Sequence, residues 1–201
     1  MIFIALRRPT FRLAIWMMLV PAVISGMFSL LGPLRLSQFG AGATVIGVVY
    51  AIAAAAETFI SPQVGKLSDR HGRVRSLRVS LCLIAALLLI FTLPDTVVLV
   101  AAMIVCSMVA IGSFWAPSMA LVSDVAHSSG VEHALAAAFT NLGWAGGQLL
   151  GSVLGGAAAE TAGDAVPMVA AAGLCVLTLL MLSSPRITDG LESAQQLSSG
   201  S

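Results

Sequence analysis

The chain has 201 residues, of which 58% are hydrophobic and only 9% are charged. Since soluble domains carry roughly a quarter charged residues, this composition excludes a soluble globular fold and predicts an integral membrane protein. The formal net charge of +1 gives no reason to expect nucleic acid or another strongly acidic partner. The positions of the few charges therefore matter more than their sum.

Six apolar segments follow one another along the chain. Each is close to the roughly 20 residues that a helix needs to cross the hydrocarbon core, and backbone groups in lipid must be paired within the segment, so helices are predicted. The predicted spans are 13–34, 44–64, 77–93, 96–122, 134–159 and 166–183. The sequence thus predicts an all-α, six-helix transmembrane bundle over residues 1–187, followed by a disordered cytoplasmic tail over residues 188–201.

The basic residues predict how the chain is oriented. Nine of the ten Lys and Arg residues fall before span one, between spans two and three or at the very start of span three, or after span six, and only Arg35 falls in an opposite loop. Cytoplasmic loops carry an excess of Lys and Arg, so both termini are predicted to be cytoplasmic, in a multi-pass protein of the cell membrane. Arg7 and Arg8 also allow a twin-arginine signal, but the following apolar run is too long and lacks a small-residue cleavage site.

One basic segment, between spans two and three, has a spacing that orientation alone does not explain. It reads Gly65-Lys66-Leu67-Ser68-Asp69-Arg70-His71-Gly72-Arg73-Val74-Arg75. Glycine allows the tight turns of a short loop between helices, and Asp69 can cap the following helix or pair with a neighbouring arginine. We interpret it as a gating loop that can latch two helix bundles together; its key residues are Gly65, Asp69, Arg70, Gly72 and Arg73.

This segment resembles the signature loop of the major facilitator superfamily, G-x-L-[SA]-D-R-x-G-R-[KR]. The residues that fit the pattern are Gly65, Leu67, Ser68, Asp69, Arg70, Gly72 and Arg73, whereas Val74 departs from it. The resemblance extends over all six spans and implies one six-helix half of a secondary transporter that moves a small solute by alternating access. It also implies a second six-helix half as partner, in a homodimer or as a separate chain, with proton-coupled efflux as one option.

The resemblance favours the C-terminal type of half. First halves of the family often carry an arginine within the fourth helix, and span four has none. Residues 141–148 of span five resemble the fifth helix of second halves in bacterial members, and residues 33–36 suit the end of their first helix. The family's antiporters have a Gly-Pro pair in the fifth helix, but here Gln148 follows Gly147, which weighs against an antiporter.

Span five carries glycine at every fourth position. These residues are Gly143, Gly147, Gly151 and Gly155. Four-residue spacing places them on one helix face, and small residues let a second helix approach closely. We predict close helix packing there, although a contact that moves between two bundles would use the same residues.

Glu57 is the only acidic residue deep within a predicted span. Because a lone carboxylate in hydrocarbon is costly, Glu57 should face a cavity or a partner, or be protonated. Proton coupling, cation recognition and a purely structural carboxyl all remain open. Further candidates for contact with substrate or a coupling ion are Tyr50, two turns away on the same face, Asn141 and Gln148, which share a face of span five, and Trp144.

Other residue types give no sign of an enzyme. Cys82, Cys106 and Cys175 lie in apolar runs without metal or redox spacing, and no nucleophile with a base and no phosphate loop is recognisable. We expect no enzymatic activity, no cofactor and no metal; the expected partners are the lipid bilayer and a small solute, with or without protons. The alternative is a truncated, non-transporting membrane fragment or a helical scaffold that needs a partner half.

Overall fold

A computed structural model of the chain shows an all-helical bundle. The structure describes residues 9–128 and 133–184, and within these ranges it contains six helices and no strand. The helices are α1 (Pro9–Gln38), α2 (Ala43–His71), α3 (Arg73–Ile90), α4 (Val97–Ser128), α5 (His133–Ala162) and α6 (Ala165–Leu182). Each corresponds in order to one predicted apolar segment, and the predicted tail, residues 188–201, lies outside the described residues.

Four of the described helices are long and apolar enough to cross a membrane by length and composition. The candidate spans are Ile15–Gln38 in α1, Ala43–His71 in α2, Val97–Ser123 in α4 and Ala165–Leu182 in α6. The first two turns of α3 instead carry three arginines, and α5 is rich in glycine and contains Asn141 and Gln148. Composition therefore identifies four spans, and placing α3 and α5 in the membrane depends on their packing.

The helices pair mainly with helices that are distant in sequence. α1 packs most extensively on α5, α2 on α4, and α3 on α6, while α1 also contacts α4. The central helix α1 supplies the fully buried side chains of Met17, Ile24 and Phe28. The Phe28 ring meets the Phe91 ring edge on, with centroids 4.9 Å apart. The core therefore lies around α1, between the three helix pairs.

Polar contacts show which helix ends lie together. At one end, Arg35 near the end of α1 donates a hydrogen bond to the carbonyl oxygen of Thr92, after α3, and lies 3.7 Å from Asp164, before α6. At the other end, Arg78 in the second turn of α3 donates to the carbonyl oxygen of Leu182, the last residue of α6. Successive helices therefore run up and down through the bundle.

The connection between α2 and α3 is almost entirely helical, so the prediction of a loop over residues 65–75 is wrong. α2 continues to His71 and α3 begins at Arg73, which leaves Gly72 as the one residue between them. The φ angle of Gly72 is 91°, in a region that favours glycine. α2 can extend beyond its apolar segment because the charged side chains at its end remain accessible to water, as the exposed side chain of Lys66 does.

Two details of the predicted loop differ in the structure because α2 extends to His71. Asp69 lies inside α2 and does not cap α3, whose N-cap position is Gly72 without a side-chain hydrogen bond. Gly65 also lies inside α2, and nothing lies within 4 Å of a Cβ atom placed there. Of these two glycines, only Gly72 has a backbone conformation that calls for glycine.

Large apolar side chains cover the outside of the bundle. Phe59 is 74% exposed, Val98 77% and Leu142 69%. Cys82 and Cys106 are also exposed, whereas Cys175 is buried. Extended apolar surface of this kind is rare on proteins in water, and it fits contact with lipid tails or with other apolar helices.

Candidate functional site

A cavity of about 230 Å³ lies among α1, α2, α4 and α5. Its lining consists of Ser25 and Ser29 from α1, Glu57 from α2, Met108, Ile111, Gly112 and Trp115 from α4, and Trp144 and Gln148 from α5. Apolar and aromatic walls with a few polar groups are typical of small-molecule sites. Among the described residues of this lining, Glu57 is the one ionisable side chain.

Glu57 points towards α4 at a position where α4 has a glycine. A Cβ atom placed on Gly112 would lie 2.6 Å from the carboxyl carbon of Glu57, so glycine leaves the space that the acidic side chain occupies. Within the described part of the chain, no hydrogen bond or ion pair reaches the Glu57 carboxyl group. This carboxyl group is therefore available to a ligand in the cavity.

Two tryptophan rings form an aromatic wall of the same cavity. The ring centroids of Trp115 and Trp144 are 4.3 Å apart and the ring planes meet at 61°, an edge-to-face arrangement that aromatic pairs favour. Both side chains are half-buried. The pair thus joins α4 to α5 and presents indole surface beside the carboxyl group of α2.

The crossing of α1 and α5 fixes the place of Gln148. The α5 backbone approaches α1 so closely that a Cβ atom on Gly26 would collide with the Gln148 carbonyl oxygen. The Ser152 hydroxyl donates to the carbonyl oxygens of Gly26 and Gln148, at 3.0 and 2.9 Å. Gln148 is therefore held at the cavity by contact between two backbones.

Three of the four glycines predicted to mediate packing lie against α1. A Cβ atom on Gly147 or Gly155 would lie 2.5 or 2.8 Å from an α1 side chain, and Gly151 packs directly on the backbone of Val23. At Gly143, nothing lies within 4 Å of an added Cβ atom. The close contact thus begins one turn later than the spacing of the glycines suggests.

The candidate substrate residues divide into two groups. Glu57, Trp144 and Gln148 line the cavity, whereas Tyr50 and Asn141 do not. The Tyr50 hydroxyl donates to the carbonyl oxygen of a residue in α1 at 2.6 Å, and Asn141 is exposed. Tyr50 therefore joins α2 to α1.

Sequence reasoning missed several residues of the cavity. Ser25 and Ser29 are polar residues four positions apart in an apolar span. That spacing places both on one helix face, so it could have indicated that they line a cavity. Trp115 and Gly112 had no comparable signal, because their roles come from the pairing of α4 with α2 and α5.

The predicted gating residues lie at one end of the bundle. The Nε atom of Arg73 is 4.0 Å from an Asp69 carboxyl oxygen, across the break at Gly72. The Asp69 side chain is 68% exposed, and ion pairs exposed to this degree contribute only about 0–1 kcal/mol. Arg70 is also exposed, so Asp69 and Arg70 are accessible from outside the bundle.

A second cavity, of about 350 Å³, lies beside this end among α2, α3 and α4. Its lining includes His71 and Arg75, with Leu67, Val79 and Leu83 as apolar walls. All three apolar side chains are exposed, so this is a groove on the outer surface. Within residues 9–128 and 133–184, no group of three or more His, Cys, Asp or Glu residues could hold a metal ion.

No curated protein matches the sequence. The family model described as Major Facilitator Superfamily matches residues 7–197, nearly the whole chain, which confirms the resemblance seen in residues 65–73. Because this match covers nearly the whole chain, the chain belongs to the Major Facilitator Superfamily, a superfamily of multi-pass membrane transporters.

Proposed function

We propose that the chain is a secondary active transporter, or one six-helix half of one, that moves a small solute by alternating access. The observation that carries this is the cavity among α1, α2, α4 and α5, which holds the unpaired carboxyl group of Glu57. As the one ionisable side chain that the structure describes in that lining, Glu57 is the group able to exchange a proton for the solute. We favour proton-coupled efflux because of this carboxyl group, and we give it more weight than the missing Gly-Pro pair of the family's antiporters in α5.

In this proposal all six described helices cross the membrane. α5 packs on α1, and α3 packs on α4 and α6; all three of these neighbours are candidate spans. Lys66 and Arg70 lie near the α2–α3 connection, at the end where α6 finishes, whereas Arg35 lies at the opposite end. The positive-inside rule then places the α2–α3 connection and both termini in the cytoplasm.

Alternating access needs a second bundle, supplied by another copy of the chain or by a separate chain. The apolar outer face of α2 supports this, because Val48, Ile52 and Phe59 are all exposed. Asp69 and Arg70 are accessible at the cytoplasmic end in this orientation and would help latch the two bundles together with Arg73. We assign this bundle to the C-terminal type because residues 141–148 of α5 resemble the fifth helix of second halves in bacterial members of the family.

Reconstitution into liposomes that contain a pH-sensitive dye tests the transport function. With an imposed pH gradient, we expect at least one member of a panel of amino acids, sugars, organic anions and organic cations to change the internal pH. Glu57→Gln should abolish that change, whereas Glu160→Gln, an exposed acidic residue near the end of α5, should not. If Glu57→Gln gave the same change in internal pH as the wild-type protein, Glu57 would have no part in the mechanism.

If no solute of the panel changed the internal pH with the wild-type protein, that result would contradict transport by this chain alone. Light scattering of the detergent-solubilised protein complements the assay, because a homodimer is the expected state if the chain transports by itself. A strict monomer that transports would contradict the need for a second bundle. A strict monomer that does not transport would leave a separate partner chain, or a non-transporting fragment, as the explanation.

A further inference from the structure

We infer that the cavity takes a small organic cation, with an alkylated ammonium group held between the Glu57 carboxyl group and the rings of Trp115 and Trp144. This names the substrate class of the cavity and rests on the proposed function of the chain as a transporter. Three properties of the lining support it: its charge, its aromatic surface and its size.

The charge of the lining favours a cation. Around Glu57, α1 contributes the hydroxyl groups of Ser25 and Ser29, α5 contributes the amide of Gln148 and an indole, and the described side chains of α4 contribute no titratable group. No residue of α3 or α6 belongs to the lining. An ionised carboxylate in an apolar span without a cationic partner is unfavourable, so a bound cation would supply the missing charge.

The aromatic wall favours an organic cation over a metal ion. A cation within about 6 Å of an indole centroid is attracted by the ring face, and quaternary ammonium groups are bound by aromatic side chains in this way. Trp115 and Trp144 meet at 61° and thus form a corner. A hard metal ion instead needs about six oxygen ligands, whereas much of this wall is indole, methionine and isoleucine.

The size of the cavity restricts the class further. The space within this one bundle, about 230 Å³, is smaller than the roughly 300–1,000 Å³ of pockets that hold drug-sized ligands, so the part of the ligand that enters it must be compact. The methyl groups of a small quaternary amine can contact Met108 and Ile111 while its positive charge faces Glu57. A compact, monovalent amine is therefore the expected ligand.

The same geometry makes protons and the organic cation competitors. Both neutralise the Glu57 carboxyl group, and no other titratable side chain of the described lining faces it. Affinity for the cation should therefore fall as the pH is lowered. With Glu57→Gln, the remaining weak binding should no longer depend on pH.

Equilibrium binding to the purified full chain tests this inference without requiring transport. Radiolabelled choline should bind, and the neutral carbon isostere, in which a tert-butyl group replaces the trimethylammonium group, should fail to displace it at the same concentration. Glu57→Gln should weaken choline binding by about tenfold or more, and Trp144→Leu by roughly three- to thirtyfold. Trp16→Phe is the matched aromatic control, since the Trp16 indole donates to Thr178 away from the cavity, and it should keep wild-type affinity.

Absence of choline binding at millimolar concentration, equal displacement by the isostere, or wild-type affinity in Glu57→Gln would each overturn the inference. The comparison with the isostere uses wild-type protein, so it remains decisive even where a variant does not fold. Choline binding without any proton flux in liposomes would contradict proton-coupled transport by this chain alone and leave the cation site standing. Proton flux driven by another solute, without choline binding, would overturn the cation site and leave transport standing.

Discussion

Arg35 and Asp164 face each other at the end of the bundle opposite Gly72, with 3.7 Å between a guanidinium nitrogen and a carboxyl oxygen. The Arg35 side chain is only 11% exposed and that of Asp164 27%. The same guanidinium donates hydrogen bonds to the carbonyl oxygens of Thr92 and Pro94, at 2.5 and 3.1 Å. One arginine thus joins the end of α1 to two interhelical turns.

Arg35→Met should therefore destabilise the bundle more than Asp164→Asn. The arginine variant loses two hydrogen bonds from a charged donor as well as the ion pair, for a loss of about 3 kcal/mol in the free energy of unfolding. The asparagine variant loses chiefly the ion pair, for about 1 kcal/mol. Thermal unfolding in detergent, followed by circular dichroism, measures both, and Arg12→Met on the exposed start of α1 is the matched control. Equal melting temperatures for Arg35→Met and Arg12→Met would contradict the role of Arg35.

Gly151→Ala should disturb the contact between α1 and α5. The added methyl group would collide with the backbone of Val23, and overpacking of this kind costs roughly 1–3 kcal/mol. Gly143→Ala is the control on the same helix, because nothing lies within 4 Å of its added Cβ atom. That variant should be neutral or stabilising by up to about 1 kcal/mol, since alanine favours helix. Similar melting temperatures for the two variants would show that the helices are not in close contact at Gly151.

Gly72→Ala should destabilise the connection between α2 and α3. At a φ angle of 91°, a side chain strains the backbone by roughly 1–3 kcal/mol. Gly65→Ala, inside α2 and without a neighbour within 4 Å, should be tolerated or stabilising. Unfolding of the two variants in detergent under one condition compares them directly. Tolerance of alanine at position 72 would mean that the two helices can join in another conformation.

Gly112→Ala should impair the cavity more than it impairs the fold. The new Cβ atom would displace the end of the Glu57 side chain, which lies 2.6 Å away and is flexible enough to move. We expect a loss of choline affinity of about tenfold, equivalent to ~1.4 kcal/mol, with little change in melting temperature. Gly173→Ala in α6, where nothing lies within 4 Å of the added atom, should change neither. Unchanged choline affinity in Gly112→Ala would mean that the position of Glu57 is not critical for binding.

The number, order and type of the described helices follow from composition and apolar length, since lipid leaves the backbone few alternatives. The glycine spacing of α5 also identified the helix face on which Gly147, Gly151 and Gly155 meet α1. The end of α2 was harder to predict. Hydropathy falls at Gly65, but a helix can continue into the polar region of the membrane as long as its charges remain solvated, and only the backbone angle at Gly72 ends it.

The partners of each helix were beyond the reach of the sequence pattern. Faces towards lipid and faces towards other helices are both apolar in a membrane protein, so periodicity does not reveal that Gly112 lies opposite Glu57. Trp115 and Trp144 likewise come together only through the pairing of α4 with α5. The carboxyl group of the cavity could thus be predicted as unusual, but its surroundings could not.

The backbone contact between α1 and α5 also restricts how the bundle can move. If α5 moved along α1 by one residue with the matching rotation about its own axis, the side chain of Leu150 or Ser152 would replace Gly151 against the backbone of Val23. The smallest slide that returns a glycine to that position is four residues, or about 6 Å along the helix axis. Sliding is therefore a large, discrete step in this pair, and small conformational changes must carry α1 and α5 together as one rigid unit.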